Sequence, residues 1–124
     1  MSDCQSDPIN VEELMKRCMG EIEFAQEILE DFLLTCERGI ENLRQLDRDG
    51  LEVKDIERMR SEAHRLKGTC ATVAANHLSE LFQEVEADIK TGNNRDAANR
   101  VPRIESEFKS IRDFVSTGLA SALG

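Results

Sequence analysis

The residues best suited to chemistry in this sequence are His64, Lys67 and Gly68, which fall close together in one predicted helix. Histidine titrates near neutral pH, so much of an exposed imidazole is unprotonated and can act as a nucleophile. Lys67 follows three residues later, a spacing that places both side chains on one helix face, where the ammonium can meet an anion that reaches the imidazole. Glycine costs about 1 kcal/mol relative to alanine inside a helix, so Gly68 indicates that a larger molecule approaches here.

A stripe of apolar residues places this motif on a helix. The stripe repeats every three or four positions, which is the period of the buried face of an α-helix. Its members are Ile56, Met59, Ala63, Leu66, Cys70 and Val73. His64, Lys67, Gly68 and Ala71 form a second stripe beside it. The imidazole is therefore predicted to project next to the core-facing side of the helix.

The same helical period recurs along the rest of the chain. Asn10 with Glu13 has the form of a capping box that opens a short helix, and Asp49 with Glu52 has the same form before the helix that carries His64. Asn76 is expected to cap the following helix. The predicted helices run from Asn10 to about Gly20, from Glu21 to about Arg48, from Asp49 to about Ala75, from Asn76 to about Lys90, and from about Arg95 to Thr117.

Pro102 lies inside the last predicted helix, where we expect a bend or a restart because proline removes a backbone hydrogen bond. No segment shows the alternation of a β-strand, and the connections are short. Helices of similar length joined by short loops pack antiparallel. The expected fold is all-α: an antiparallel up-down-up-down four-helix bundle with a short additional N-terminal helix. We expect a flexible segment at 1–9, the bundle domain at 10–118 and a tail at 119–124.

Composition limits the function classes. The chain has 124 residues and a formal net charge of −9, which argues against nucleic-acid and anionic-membrane partners. No run approaches the roughly 20 apolar residues of a membrane span, and the first 20 residues do not show a basic region followed by an apolar core, so we expect a cytoplasmic protein. A bundle of this length can stand alone, so we also expect a monomer. Cysteines 4, 18, 36 and 70 form no C-x-x-C pair, and the last three lie on apolar stripes, which indicates structural thiols.

The run His64-Arg65-Leu66-Lys67-Gly68 resembles the H-x-L-K-G signature of histidine-containing phosphotransfer (HPt) domains, which are four-helix bundles. The resemblance continues through Thr69, Cys70, Ala71 and Val73, and through Leu78, Leu81 and Val85-Glu86 in the next helix. The family often has a glycine where this chain has Ala74, a difference that concerns the end of the helix.

The resemblance implies a phosphorelay intermediate. His64 would accept a phosphoryl group from a receiver-domain aspartyl phosphate, or from a histidine kinase system, and pass it to a response-regulator aspartate. The implied partners are response-regulator receiver domains and a hybrid histidine kinase. The implied Mg²⁺ belongs to the receiver domain, so no metal or cofactor of the chain's own is expected. A nucleotide-binding loop is missing from the sequence, which favours a phosphohistidine carrier without kinase activity of its own.

The resemblance also implies roles for individual residues. Lys67 would compensate the charge of the phosphoryl group, and Gly68 would give steric access. Glu86 would accept a hydrogen bond from the second ring nitrogen of His64 and fix its tautomer, with Gln83 as the alternative acceptor. Thr69 is a further candidate donor to the phosphoryl oxygens.

Partner contacts are expected around the histidine. Arg60, Ala71 and Lys90 are the candidates on the two central helices. An apolar patch on the leading helix would consist of Val11, Leu14 and Met15, although Val11 and Leu14 could equally cap the bundle core.

Three other functions found in helical bundles can be compared with the sequence. A dimetal oxidase needs Glu-x-x-His pairs on two helices, but Ser61 and Ala74 occupy the positions three residues before the two histidines. A helical adaptor without chemistry, and a degenerate HPt domain that binds receivers without phosphotransfer, both remain as alternatives.

Overall fold

The computed structural model describes residues 8–49 and 52–118, and these residues form helices and turns without a β-strand. The all-α prediction is therefore confirmed for the described part of the chain. The helices are α1 (Val11–Arg17), α2 (Ile22–Asp49), α3 (Val53–Thr72), α4 (Asn76–Lys90), α5 (Asn94–Asn99) and α6 (Val101–Asp113), followed by a π-helical turn at Phe114–Gly118. None of the helices described here is both long enough and apolar enough to span a bilayer.

The four longer helices pack into one bundle. The most extensive contact joins α3 to α4, while α2 packs on α3 and on α6, and α6 also packs on α4. The predicted apolar stripes meet in the shared core, whose largest fully buried side chains include Leu14, Leu29, Leu43, Met59, Leu66, Leu78, Phe82, Ile104 and Ile111. Burying one such side chain stabilises the fold by about 1.5–3 kcal/mol. Because the buried side chains of α3 pack in this core, the residues on its outer face are held in place relative to the other helices.

Gly39 allows α2 and α3 to approach each other closely. A Cβ atom at this position would lie 2.6 Å from Leu66 Cδ1 and 2.8 Å from Glu62 Oε2, both of which are closer than normal contacts. Leu66 is fully buried two residues after His64. Gly39 therefore sets how deeply the helix that carries the histidine is seated, a role that the sequence analysis did not single out.

The starts of two helices differ from the sequence prediction. The predicted Asn10 cap is confirmed, because its Oδ1 accepts a hydrogen bond of 3.0 Å from the Glu13 amide. The predicted capping box of Asp49 and Glu52 is wrong: α2 continues through Asp49, and Glu52 caps α3 without a side-chain hydrogen bond. The cap of α4 is Ala75 rather than Asn76, whose Nδ2 instead donates to Glu13 Oε1 over 3.1 Å.

The predicted last helix restarts close to Pro102. Helix α5 ends at Asn99 and α6 begins at Val101, so the proline lies in the first turn of α6. An amide in the first turn has no partner within its own helix, and a proline there loses no hydrogen bond. The expected restart is confirmed.

The three described cysteines are buried as free thiols, as their positions on the apolar stripes predicted: Cys18, Cys36 and Cys70. Cys4, most of the predicted flexible segment 1–9 and the predicted tail 119–124 lie outside the described residues. Within that segment Ile9 is fully buried, and the adjacent Asn10 amide donates to the Ala74 carbonyl over 2.9 Å. Ile9 is therefore part of the hydrophobic core and not of a flexible segment. The domain boundaries stay a prediction.

Candidate functional site

His64 lies on the outer face of α3 and contacts α4 through one of its ring nitrogens. Its side chain is 65% exposed, and its Nδ1 lies 2.8 Å from Glu86 Oε2. An ionised carboxylate can only accept hydrogen bonds, so Nδ1 carries the proton in this contact. The lone pair is then on Nε2, and that nitrogen is the nucleophilic atom of the ring.

Lys67 contacts the other oxygen of the same carboxylate. Its Nζ lies 3.0 Å from Glu86 Oε1, and its side chain is 28% exposed. The contact is an ion pair, and Oε1 has no hydrogen-bond partner among the described residues. Glu86 is 7% exposed at its side chain. One buried carboxylate therefore connects the imidazole and the ammonium.

The neighbours of Glu86 keep it ionised. Burial raises its pKa, whereas Lys67 and His64 lower it through their side-chain contacts, and the net direction is a pKa below the ordinary value. The effects of Lys67 and His64 on the pKa together outweigh the effect of burial. Glu86 is accordingly a carboxylate at neutral pH and a permanent acceptor for the proton on Nδ1.

Gly68 leaves open space beside the imidazole. A Cβ at this position would meet no atom within 4 Å, so packing inside the protein does not require a glycine. Ala71, one turn further along α3, is also exposed, and its carbonyl accepts a hydrogen bond from Arg17 of α1. The surface of α3 after His64 therefore carries little side-chain volume, because small residues occupy two successive turns.

Two of the predicted partner contacts are cations at the surface. Arg60 is one turn before His64 and pairs with Glu57 over 3.0 Å. Its pKa is raised, first by that hydrogen bond and, more weakly, by the charge of Glu86. Lys90 is exposed one turn after Glu86 on α4. Arg60 and Lys90 are thus each one helical turn from a member of the His64–Glu86 pair, in a chain whose net charge is −9.

The structure does not bring Thr69 to the imidazole. Its hydroxyl donates to the Arg65 carbonyl over 3.1 Å, and the side chain lines a groove with Phe32 and Thr35 of α2. Five residues along a helix correspond to a rotation of about 140° away from His64. The predicted hydrogen bond from Thr69 to a phosphoryl group is therefore wrong for this arrangement.

The alternative acceptor Gln83 is exposed on α4, and Nδ1 of His64 is bonded to Glu86 instead. Glu86 is in place because α3 and α4 pack along their length, so a residue 22 positions after the histidine faces it. Between the two acceptors that the sequence analysis considered, the geometry selects Glu86.

The expected apolar patch on α1 is largely part of the core. Leu14 is fully buried, so it cannot contact a partner, and its interpretation as a docking residue is wrong. Val11 and Met15 are partly buried and pack against the same core. Met19, two residues after the end of α1, is an exposed apolar residue with 86% of its surface accessible. The sequence analysis did not single out Met19. Its place off the apolar stripe, next to Gly20 at the end of the helix, is the signal that could have indicated its exposure.

Within residues 8–49 and 52–118, no group of three or more His, Cys, Asp or Glu side chains is arranged to hold a metal ion. The chemistry of the described site comes from an imidazole, a carboxylate and an ammonium.

Comparison with protein families gives a match to most of the chain. The family described as Hpt domain matches residues 27–114, a range that includes His64, Lys67 and Glu86. Neither the curated proteins nor the solved structures give a significant match to the chain. Since the family match covers more than half of the sequence, the protein belongs to the Hpt domain family and has a phosphotransfer-related role in two-component signalling.

Proposed function

We propose that the protein is a phosphorelay intermediate that carries a phosphoryl group on Nε2 of His64. The observation that carries this proposal is the 2.8 Å contact between Nδ1 and the buried carboxylate of Glu86. It fixes the ring in the tautomer whose lone pair is on the exposed nitrogen. A packed or solvated histidine without function needs neither a buried carboxylate nor an open helix surface beside it.

In the accepting step, Nε2 attacks the phosphorus of an aspartyl phosphate in a receiver domain. The N–P bond forms as the P–O bond breaks, and the electron pair of that bond leaves with the receiver's aspartate. The ring keeps its proton on Nδ1 and becomes a phosphoimidazolium hydrogen-bonded to Glu86. Transfer to a second receiver aspartate is the reverse of this step. The Mg²⁺ that assists both steps is expected in the receiver, which leaves the nucleophile and its positioning to this chain.

Lys67 is the cation that we assign to the transferred phosphoryl group. It follows His64 by three residues, and its ammonium already lies beside the carboxylate that holds the ring. Phosphoryl transfer depends mainly on positioning and charge compensation, which are the contributions that an ammonium can make. The incoming dianion would draw Nζ partly away from Glu86.

The receiver is expected to approach over Gly68 and Ala71, where α3 presents little side-chain volume. Arg60 and Lys90 would then face the acidic cluster that surrounds a receiver's aspartate. The packing of α2, α3, α4 and α6 supports an antiparallel up-down-up-down bundle for this docking module. We further propose a cytoplasmic monomer that works with a histidine kinase and one or more response regulators.

The direct test is transfer of radiolabel from a phosphorelay receiver domain charged with labelled acetyl phosphate. Label should move to the wild-type chain and to His77→Gln, whose imidazole is half exposed on α4 3.9 Å from Glu107, but not to His64→Gln. The transferred label should be lost in acid and stable in alkali, because the bond joins phosphorus to nitrogen. Absence of label on the wild type, with receiver binding retained, would instead favour the adaptor or degenerate HPt alternatives.

A further inference from the structure

Helices α2 and α3 pass each other in opposite directions with a defined register. Thr35 of α2 lines a groove together with Thr69 of α3. One turn later in α2, Gly39 lies against Leu66, which is one turn earlier in α3, and a Cβ added at Gly39 would come within 2.6 Å of Leu66 Cδ1. The glycine therefore lets the two backbones approach each other closely beside this groove.

Cys36 and Cys70 occupy facing positions in this register. Each directly follows one of the two threonines of the groove, and each is a fully buried free thiol. The pKa of Cys70 is raised, first by a side-chain hydrogen bond with Cys36 and then by burial, so the two thiols are in contact. A disulfide joins cysteines whose Cα atoms are about 4.4–6.8 Å apart, a separation that facing residues on closely approaching helices can meet.

We propose that Cys36 and Cys70 are a redox-sensitive pair, which a peroxide converts into a disulfide that ties α2 to the helix carrying His64. The inference is independent of phosphotransfer. It assigns a reaction to two buried nucleophilic groups that the proposed function leaves unused. Without an oxidant the two thiols pack in the core, as their positions on the apolar stripes predicted.

The reaction removes two electrons from the pair, and the peroxide accepts them. One sulfur attacks the O–O bond as a thiolate, and the displaced hydroxide takes up the proton of that thiol and leaves as water. The product is a sulfenic acid. The sulfur of the second thiol then attacks the sulfenic sulfur, the S–S bond forms, and a second water leaves. Two thiols and one hydrogen peroxide thus give one disulfide and two waters.

Burial controls when this reaction can occur. The thiolate is the nucleophile, and the raised pKa of Cys70 keeps its thiol protonated while the protein is packed. The groove beside Thr35 and Thr69 has a volume of about 300 Å³ and leads a small uncharged oxidant to the residues next to the pair. A brief local separation of α2 from α3 then admits the peroxide, and the disulfide forms as the helices close again.

The disulfide would hold α3 against α2 without covering the histidine. Cys70 follows His64 by six residues, which is a rotation of about 240° around the helix. His64 is accordingly 65% exposed while Cys70 is fully buried. The link closes a loop from residue 36 to residue 70 and so removes open conformations from the unfolded chain. The oxidised protein should therefore resist unfolding more than the reduced protein does.

The test treats the folded Cys4→Ser protein with hydrogen peroxide and locates the oxidised sulfurs by mass spectrometry. After treatment the protein is denatured, its remaining thiols are alkylated, and it is digested with trypsin. Cleavage after lysine and arginine leaves Cys36 in peptide 18–38 and Cys70 in peptide 68–90. We expect these two peptides to be joined within single chains, with the loss of two hydrogen atoms.

Two internal controls make the assignment sharp. Cys18 lies in the same peptide as Cys36, so fragment ions identify the linked sulfur, and Cys18→Ala should form the same link. Met19 is 86% exposed and should become the sulfoxide, which shows that the peroxide was active under the conditions used.

The clamp itself is measured by urea unfolding. The midpoint of the oxidised protein should rise and should return to its starting value on reduction with dithiothreitol. A link through Cys18, a link between two chains, or a sulfinic acid in place of the link would overturn the inference. Reduced Cys36 and Cys70 beside an oxidised Met19 would do the same, as would a linked protein whose urea midpoint is unchanged.

Discussion

Lys67 Nζ lies 3.0 Å from Glu86 Oε1, so the cation assigned to the phosphoryl group already has a buried carboxylate as its partner. The same carboxylate binds His64 through its other oxygen. Lys67 and Glu86 therefore join α3 to α4 as well as serving the chemistry. Substitutions at either position should affect stability and phosphotransfer together, and the two effects can be separated by experiment.

Lys67→Ala should slow phosphotransfer and also destabilise the fold. Removal of the ammonium leaves a buried carboxylate with one partner fewer, which costs about 1–3 kcal/mol at neutral pH. Urea unfolding measures this loss. Lys90→Ala, which removes an exposed lysine from α4, is the matched control and should change stability by no more than about 0.5 kcal/mol. Equal stability losses for the two variants would contradict the ion pair.

The contribution of Glu86 to stability should depend on pH with a defined sign. Its pKa in the folded protein is lower than the ordinary 4.5, so the unfolded chain binds the proton more tightly. The stabilisation is therefore complete above that ordinary value and is lost as pH falls through the lower pKa of the folded state. Unfolding of wild type and Glu86→Gln from about pH 6 to about pH 3 should show a stability difference that shifts against the wild type with acid. A constant difference would contradict the lowered pKa.

Gly68 and Gly39 should respond oppositely to the same substitution. At Gly68 the space beside the helix is open, so Gly68→Ala should stabilise α3 by about 1 kcal/mol. At Gly39 the new methyl would overlap Leu66 and Glu62, and overpacking of about 1–3 kcal/mol should outweigh the gain in helix propensity. Thermal unfolding of both variants measures the contrast.

A longer side chain at Gly68 tests whether the glycine lets a receiver domain reach His64. Gly68→Gln should keep the fold, since a Cβ at this position meets no atom within 4 Å, and should slow transfer from a receiver several-fold because the partner's approach is obstructed. Unchanged transfer in this variant would remove the functional explanation for the glycine.

Met19 has a left-handed backbone, with φ of +57°, and is 86% exposed. A non-glycine residue in this conformation costs about 1–2 kcal/mol, and truncating an exposed side chain loses little packing. Met19→Gly should therefore stabilise the protein, by up to about 1 kcal/mol after the larger entropy of glycine in the unfolded chain is subtracted. Ala74→Gly is the comparison, because Ala74 has φ of +62° but a fully buried methyl group. Ala74→Gly should stabilise the protein less than Met19→Gly, because it also loses the packing of that buried methyl group.

The features that sequence could predict are those governed by local periodicity. The stripe through Met59, Leu66 and Cys70 predicted both the helix and its buried face, and the Asn10 cap followed from short-range hydrogen bonding. The end of α3 is also instructive. Ala74 adopts the left-handed conformation that suits glycine, at the position that the sequence analysis linked with the end of the helix.

The features that sequence could not predict depend on which helices face each other and at what distance. Gly39 looks like an ordinary helix position until Leu66 is placed against it. Lys67 was recognised as a cation near the histidine, but its contact with Glu86 requires the packing of α3 on α4. The helical period alone already rotates Thr69 away from His64, but its place in a groove with Phe32 and Thr35 depends on the packing of α2 on α3.

The buried free thiols make the native protein a reporter of its own opening. Cys18 follows α1, Cys36 lies in α2 and Cys70 lies in α3, and each is inaccessible to an alkylating reagent while its surroundings stay packed. Pulsed alkylation read by mass spectrometry would therefore give a separate opening rate for each of these regions. Comparing those rates before and after phosphorylation would show whether the modification tightens α3 alone or the whole assembly of helices.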